Sequence, residues 1–242
     1  MCNKLVIGIL TYNRKKLLAD TLENLVKFNN FDNIEIILLD NNSDLEYQKS
    51  NKDFAKKYGV HYVFNEIEKT DNIDINIELG HRRLIDEMLK RNSDIFCMLE
   101  DDWNNTGTIP VDDIKEFLSK NKNVGQVRLR DFRYDDTFYG GSSINFVTMK
   151  KLVFTDNAIY GDSKFKIGEL HWVDSCNVMR REVLEQMNIS FGMEMNRMLY
   201  FHKLYPLNAQ LSPGIFYHTG PKRVREDLRK KGLFLNENLS QN

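Results

Sequence analysis

Strand-like and helix-like segments alternate through the first part of this chain, and that alternation limits the fold more than any other feature. The apolar runs Leu5–Leu10, Ile34–Leu39, Val60–Phe64 and Ile95–Leu99 are each about the length of one buried strand. Thr11-Tyr12-Asn13-Arg14 follows the first and leads into a helix with Leu18, Leu22, Leu25 and Val26 on one face. The second run ends in the polar loop Asp40–Asp44, where Ser43 or Asp44 is expected to cap a helix over roughly 45–58. After the third run, residues 65–78 read as an exposed loop, and Leu84, Ile85, Met88 and Leu89 mark a helix from Leu79 to Arg91. Strands that alternate with helices pair in parallel, because each crossover helix returns the chain to the same end of the sheet. The expectation is an α/β fold, with a mainly parallel central sheet and helices on both faces.

After Pro110 the pattern becomes mixed. Ile114, Phe117 and Leu118 mark a helix, and Val124–Leu129 reads as a strand. Residues 131–170 are rich in Gly, Asp, Phe and Tyr, with β-like runs near 144–148 and 151–155, and helical stretches follow around 180–188 and 193–204. Gly214–Gly220 is a short strand running into a polar turn, and the basic stretch Pro221–Arg225 opens a loose tail. At 242 residues the chain suits one domain. Its expected parts are a half over 1–105, a second half over 106–220 and a flexible basic tail over 221–242. Lys+Arg 34 against Asp+Glu 35 leaves a formal net charge of -1, so no global field draws nucleic acid. Cys2, Cys97 and Cys176 form no CxxC pair, which suits a reduced, cytoplasmic setting. No run approaches the ~20 apolar residues of a membrane span, although peripheral contact with a membrane stays open.

Chemistry concentrates where the fourth run ends, at Glu100-Asp101-Asp102-Trp103. Three adjacent carboxylates repel one another unless positive charge sits among them, and a divalent metal carrying a pyrophosphate would supply it. The alternative is a solvated acidic turn with Asp102 capping a short helix. Thr11–Arg14, Asp40–Ser43 and Glu100–Asp102 all follow parallel strands, so they share the carboxyl edge where open α/β sheets place ligands. Neither a GxGxxG fingerprint nor a GxxxxGK[ST] loop follows the first strand, which argues against a dinucleotide enzyme or a P-loop NTPase.

The order Leu5-Val-Ile-Gly-Ile-Leu-Thr-Tyr-Asn-Arg14, Ile36-Ile-Leu-Leu-Asp-Asn-Asn-Ser43 and Met98-Leu-Glu-Asp-Asp102 resembles the family-2 glycosyltransferases of GT-A fold. Those enzymes hold a divalent metal on a nucleoside-diphosphate sugar with an Asp-x-Asp-type element. The resemblance implies that Asp102 is the metal ligand, with Asp101 and Trp103 beside the substrate. It places the nucleoside, with uridine as first choice, against Thr11, Tyr12, Arg14, Asp40 and Asn41; many relatives carry a second Asp where Asn41 stands. His218 resembles the C-terminal histidine that closes the metal site, and a neutral imidazole beside carboxylates suits Mn2+ at least as well as Mg2+. Leu170–Arg181, with Trp172 and Asp174, resembles the acceptor-side segment.

The implied reaction moves a hexosyl or N-acetylhexosaminyl group to a glycan or other hydroxyl acceptor, as in polysaccharide biosynthesis. Inversion needs a base for the acceptor hydroxyl. Glu194 resembles the family's base, and Asp174 is the alternative. Arg82 or Arg83 would meet a phosphate or the base, or else form an exposed pair on a helix; Lys222, Arg223 and Arg225 would fold over the diphosphate, or else remain a solvated tail. Two competing readings are a sugar nucleotidyltransferase and a non-catalytic carbohydrate-binding protein of the same fold. The sequence carries no signal for oligomeric state.

Overall fold

The computed structural model describes residues 4–67, 69–131, 144–145, 148, 150–151, 153–188 and 194–219. Its first half follows the expected alternation: β1 Leu5–Thr11, α1 Lys15–Phe28, β2 Ile34–Asp40, α2 Leu45–Tyr58, β3 His61–Phe64, α3 Ile73–Leu89 and β4 Ile95–Glu100. Next come β5 Trp103–Asn105, α4 Val111–Lys120, β6 Val124–Arg128, β7 Ile144–Asn145, β8 Lys150–Lys151, β9 Phe154–Tyr160 and β10 Ser163–Gly168. The chain continues through β11 Asn177–Arg180, α5 Arg181–Met187, α6 Glu194–Leu204, β12 Leu207–Ser212 and β13 Phe216–His218.

Nine strands form one sheet in the order β3-β2-β1-β4-β11-β6-β12-β10-β9. The first four in that order are mutually parallel, and β11 then runs antiparallel to both β4 and β6. The later half is thus mixed, with β12 parallel to β6 and the hairpin β9–β10 closing that side. Alternation along each strand sorts the core into two layers. Leu5, Ile7 and Ile9 pack with Leu18, Leu22 and Leu25 of α1 and Phe117 of α4. Val6 and Leu10 pack with Leu84, Ile85 and Met88 of α3, and with Val183 of α5 and Phe201 of α6. Gly8 lies on the α3 side, where a Cβ would stand 2.3 Å from the Met88 sulfur, so its lack of a side chain lets α3 approach β1. No helix among the described residues is long and apolar enough to cross a membrane.

The structure departs from the sequence reading in several places. Helix α3 begins at Ile73, inside the segment expected to be a loop, because the Asn72 side chain accepts from the amides of Asp74 and Ile75. Its first turns point Ile73, Ile75 and Ile77 outward, so no buried stripe announces them. Neither Ser43 nor Asp44 caps α2 through its side chain; Ser43 Oγ instead accepts from the Asn13 amide at 3.0 Å. Strand β12 was not foreseen, since it buries Asn208 and Gln210 between apolar neighbours. The basic tail, with Lys222, Arg223 and Arg225, lies outside the described residues.

Burial, with Arg197 nearby, holds the His81 imidazole down to about 4. Burial also holds His171 down to about 3, together with Arg128, Arg130 and His202. An unfolded histidine titrates near 6.5, so below that pH the unfolded chain binds protons that the folded chain refuses. Stability is therefore expected to fall as pH drops from about 6.5 toward 4, by about 1.4 kcal/mol per histidine at about pH 5.5. Urea unfolding at neutral and mildly acidic pH measures this, and His81→Gln should remove its share of the slope.

Candidate functional site

Strand β4 delivers Glu100 to the carboxyl edge, and the chain turns at Asp101 and Asp102 into β5. Much later, β13 returns antiparallel to β5 with His218 opposite Trp103. Thr219 fastens this return by donating its amide and hydroxyl to the Asp102 carbonyl, at 2.8 and 2.9 Å. Glu100, Asp102 and His218 each then offer one ligand atom within 4.8 Å of the others. His218 Nε2 lies 3.0 Å from Asp102 Oδ1, and neither buried atom has a hydrogen-bond partner. The imidazole stacks on Trp103 at 4.7 Å between centroids, and the indole Nε1 donates to Ser175 Oγ at 3.1 Å. Trp103 therefore acts as a buried platform for His218. Two carboxylates and an imidazole suit a divalent ion such as Mn2+ or Mg2+, and the two unpartnered ligand atoms fit one.

Asp101 faces the other way. Its Oδ2 accepts from Thr11 Oγ1 at 2.7 Å, and its carbonyl accepts from Thr21 at 2.9 Å. Arg14 Nη1 donates to Asp101 Oδ1 at 3.2 Å and to Asp102 Oδ2 at 3.0 Å, while half the arginine side chain stays exposed. Burial pushes the Asp101 carboxyl up to about 6 against the pull of Arg14 and Thr11.

The residues expected around the nucleoside divide into inward and outward sets. Asp40 is fully buried; its oxygens accept from the Ser43 amide at 2.9 Å, Asn51 at 2.8 Å and Tyr62 at 3.0 Å. Asn41 donates to the Asn76 carbonyl and accepts from Asn65, both at 2.9 Å. With Thr11, these side chains bind the protein itself and shape the sheet edge. Tyr12 and Arg14 face outward, and Lys69 Nζ sits 4.5 Å from the Tyr12 ring centroid. Arg82 is half-buried on α3.

In the segment expected to face an acceptor, Trp172 is buried against Phe201 with centroids 4.3 Å apart, and its Nε1 donates to Asp174 Oδ1 at 3.1 Å. The other Asp174 oxygen lies 3.3 Å from Arg197 Nε. Arg197 also binds Glu78 of α3, so one buried guanidinium ties α6, α3 and the Trp172 segment together. Glu194 opens α6, and its side chain lies outside the described residues. Sequence reasoning left Glu100 out of the ligand set and missed the Arg197–Glu78 pair. For Glu100 a signal existed, since it stands at the strand end in the same acidic run as Asp102. The ion pair joins residues far apart in the chain and has no local signature.

Residues 6–73 match the family model described as glycosyl transferase family 2. No curated protein matches the chain. Among solved structures, it is similar to S. aureus TarS 1-349, with 14% identity and a TM-score of 0.56 over 94% of this chain and 64% of that one. The same protein in complex with UDP-GlcNAc gives 14% identity and a TM-score of 0.57, covering 88% of this chain and 58% of that one. The mannosyltransferase PcManGT from Pyrobaculum calidifontis, in complex with GDP-Man and Mn2+, gives 14% identity and a TM-score of 0.55. That match covers 93% of this chain and 59% of the mannosyltransferase. The chain thus spans less than two thirds of the length of each. The resemblance read from the sequence holds at both levels: the first strands match the family-2 model, and the architecture is the GT-A fold.

Asp102→Ala and His218→Ala are each expected to abolish Mn2+ binding, measured by electron paramagnetic resonance with nucleoside diphosphate present. Trp103→Leu removes the stacking platform and its hydrogen bond to Ser175, and should weaken Mn2+ by about ten- to a hundredfold, the usual worth of groups that orient a metal ligand. Equal diphosphate affinity with metal and with excess chelator would refute the assignment.

Proposed function

We propose that this chain is a metal-dependent, inverting glycosyltransferase that takes a hexosyl or N-acetylhexosaminyl group from a nucleoside-diphosphate sugar. The observation that carries the reading is the convergence of Glu100, Asp102 and His218 at the end of β4. The complexes of similar folds with UDP-GlcNAc and with GDP-Man and Mn2+ support the donor class and the metal. The acceptor is a glycan or another hydroxyl compound, and the setting is cytoplasmic polysaccharide biosynthesis. Uridine is the first choice of base.

Each group has a role that follows from its charge. A divalent ion held by Glu100, Asp102 and His218 would offset the negative charge that gathers on a departing diphosphate. Arg14 keeps the acidic turn in place and leaves part of its guanidinium open to a phosphate at the same edge. Tyr12 presents an exposed ring for the base. A general base must then take the proton of the acceptor hydroxyl. Asp174 is poorly suited, because both its oxygens already face donors, one of them a buried guanidinium that stabilises the anion. Glu194, at the first position of α6, is the better assignment.

Product analysis with a panel of UDP- and GDP-linked sugars tests the activity, and the anomeric configuration of the product tests inversion. If Glu194 is the base, Glu194→Gln should leave donor and metal binding intact and lower turnover by roughly 10²–10⁴-fold. Asp174→Asn should disturb stability more than the chemical step. Loss of turnover in a stably folded Asp174→Asn variant, with Glu194→Gln active, reverses the assignment.

A further inference from the structure

Two strands form the ends of the main sheet, β3 and β9. An end strand carries unpaired amides and carbonyls along one side, and proteins usually shorten, charge or cover it. Strand β3 has four residues, and Lys52 Nζ lies 5.8 Å from the centroid of its Tyr62 ring. Strand β9 has no such protection. It runs for seven residues, Phe-Thr-Asp-Asn-Ala-Ile-Tyr, without Pro, Gly or Lys. Among the described residues it pairs only with β10, and Ile159 is 74% exposed.

The hairpin geometry fixes which backbone groups are free. Tyr160 is level with Ser163, so the turn contains only Gly161 and Asp162, and Gly161 has a φ of 54°. A two-residue hairpin turn closes with a hydrogen bond between its flanking residues, and antiparallel pairs then alternate between bonded and non-bonded. Tyr160, Ala158 and Asp156 therefore bond to β10, while Asn157 and Ile159 aim their amides and carbonyls at the free side. The Asn157 amide agrees with this: it donates to the Asp156 carboxylate, with Oδ1 at 2.7 Å. A register shift beside Gly168 interrupts the ladder beyond Asp156, so residues 156–160 are the regular part of the edge.

The two sides of this edge differ in chemistry. Ala158 and Tyr160 pack toward the α4 layer, where Phe117 meets the Tyr160 ring edge-on and Lys120 Nζ lies 5.4 Å from its centroid. Lys120 also binds Glu116. Asp156 is exposed and, by alternation, shares that side. On the other side, Asn157 and Ile159 stand level with Lys166 and Lys164 of β10. Turned about a two-fold axis through Ala158, this edge complements itself. Asp156 comes opposite Tyr160, and so beside Lys120; Asn157 comes opposite Ile159; the small Ala158 meets its own copy. No like charges are directly opposed.

We propose that β9 is a dimerisation edge, on which residues 156–160 of two copies pair antiparallel about Ala158. The two nine-stranded sheets then become one continuous sheet. Asn157 and Ile159 of each copy exchange amide and carbonyl bonds with Ile159 and Asn157 of the other. The Asp156 carboxylate leaves the Asn157 amide and turns to Lys120 of the second copy. Interfaces that bury less than about 1,200 Å² are weak, and a strand pair this short is of that kind, so the dissociation constant falls in the micromolar range. The pairing is independent of the chemistry assigned to the acidic edge.

The test uses the whole chain, by sedimentation equilibrium across the micromolar range and by amide hydrogen exchange. The expected result is a reversible dimer, with protection of the Asn157 and Ile159 amides that grows with protein concentration. Asn157→Pro removes an outward amide twice per dimer and none from the β9–β10 ladder, so it should weaken association by about ten- to a hundredfold. Ile159→Lys, at an exposed position, should also weaken it and leave the melting temperature of the dilute monomer unchanged. Asp156→Lys should weaken the dimer as well, and adding Lys120→Asp should restore part of the loss. Cys97 and Cys176 are buried, so cross-linking is read in a Cys2→Ser background. Oxidation should link copies carrying Ala158→Cys, whose Cα atoms stand about 4.5 Å apart in such a pair, and should leave Thr155→Cys unlinked. A monomer at every concentration overturns the proposal. So does a dimer that persists in both Asn157→Pro and Ile159→Lys, or that links through position 155 rather than 158. Amide protection that is independent of concentration overturns it too, because another segment of the same chain then covers this edge.

Discussion

Three carboxylates in succession cannot share one edge of a sheet without opposing charge, and much of this site is arranged around that constraint. The chain separates them by direction. Asp101 turns inward to Thr11 and Thr21, while Glu100 and Asp102 stand together with His218. Arg14 bridges the two sets, touching both Asp101 and Asp102. Because Thr11 and Arg14 lie at the end of β1 and the start of α1, the acidic turn is locked to the first βα unit. The same contacts leave Asp102 Oδ1 buried beside His218 Nε2 without a hydrogen-bond partner, an arrangement that a divalent cation would complete.

A second constraint is the short antiparallel pair β5–β13, which stands apart from the main sheet. It places the histidine beside the acid, and the Trp103 ring fixes the imidazole plane. The indole is itself held by Ser175, in the segment that also carries Trp172 and Asp174. His218, the indole it stacks on and the segment 170–176 are therefore mechanically continuous. Movement of the segment 170–176 would be felt at His218 through one indole ring.

Buried charge is distributed unevenly over this half of the molecule. Arg197 is matched by Glu78 and Asp174, so it stabilises a junction of three elements. Arg128 sits on the same side of the sheet, with Arg130 near it. The two arginines are about equally hidden: Arg197 is paired with acids from two other segments, whereas Arg128 reaches the His171 carbonyl.

The αβ alternation of the first half, both core faces and the acidic strand end were legible in the sequence, because they rest on local periodicity and on chain direction. A parallel sheet necessarily brings Thr11–Arg14, Asp40–Ser43 and Glu100–Asp102 to one edge. The start of α3 escaped notice because its capping residue, Asn72, precedes isoleucines that face solvent rather than the core. Strand β12 escaped because its buried side chains include amides that bind a loop. Which atoms remain open for chemistry was settled only in three dimensions. Asp40 and Asn41 have the right composition for a ligand edge, yet partners from α2, β3 and α3 occupy them. Glu100 joined His218 through a strand pairing that no local pattern encodes. Residue type and spacing determine which edge carries the charge; the long-range pairings decide which of those charges is already neutralised and which still faces outward.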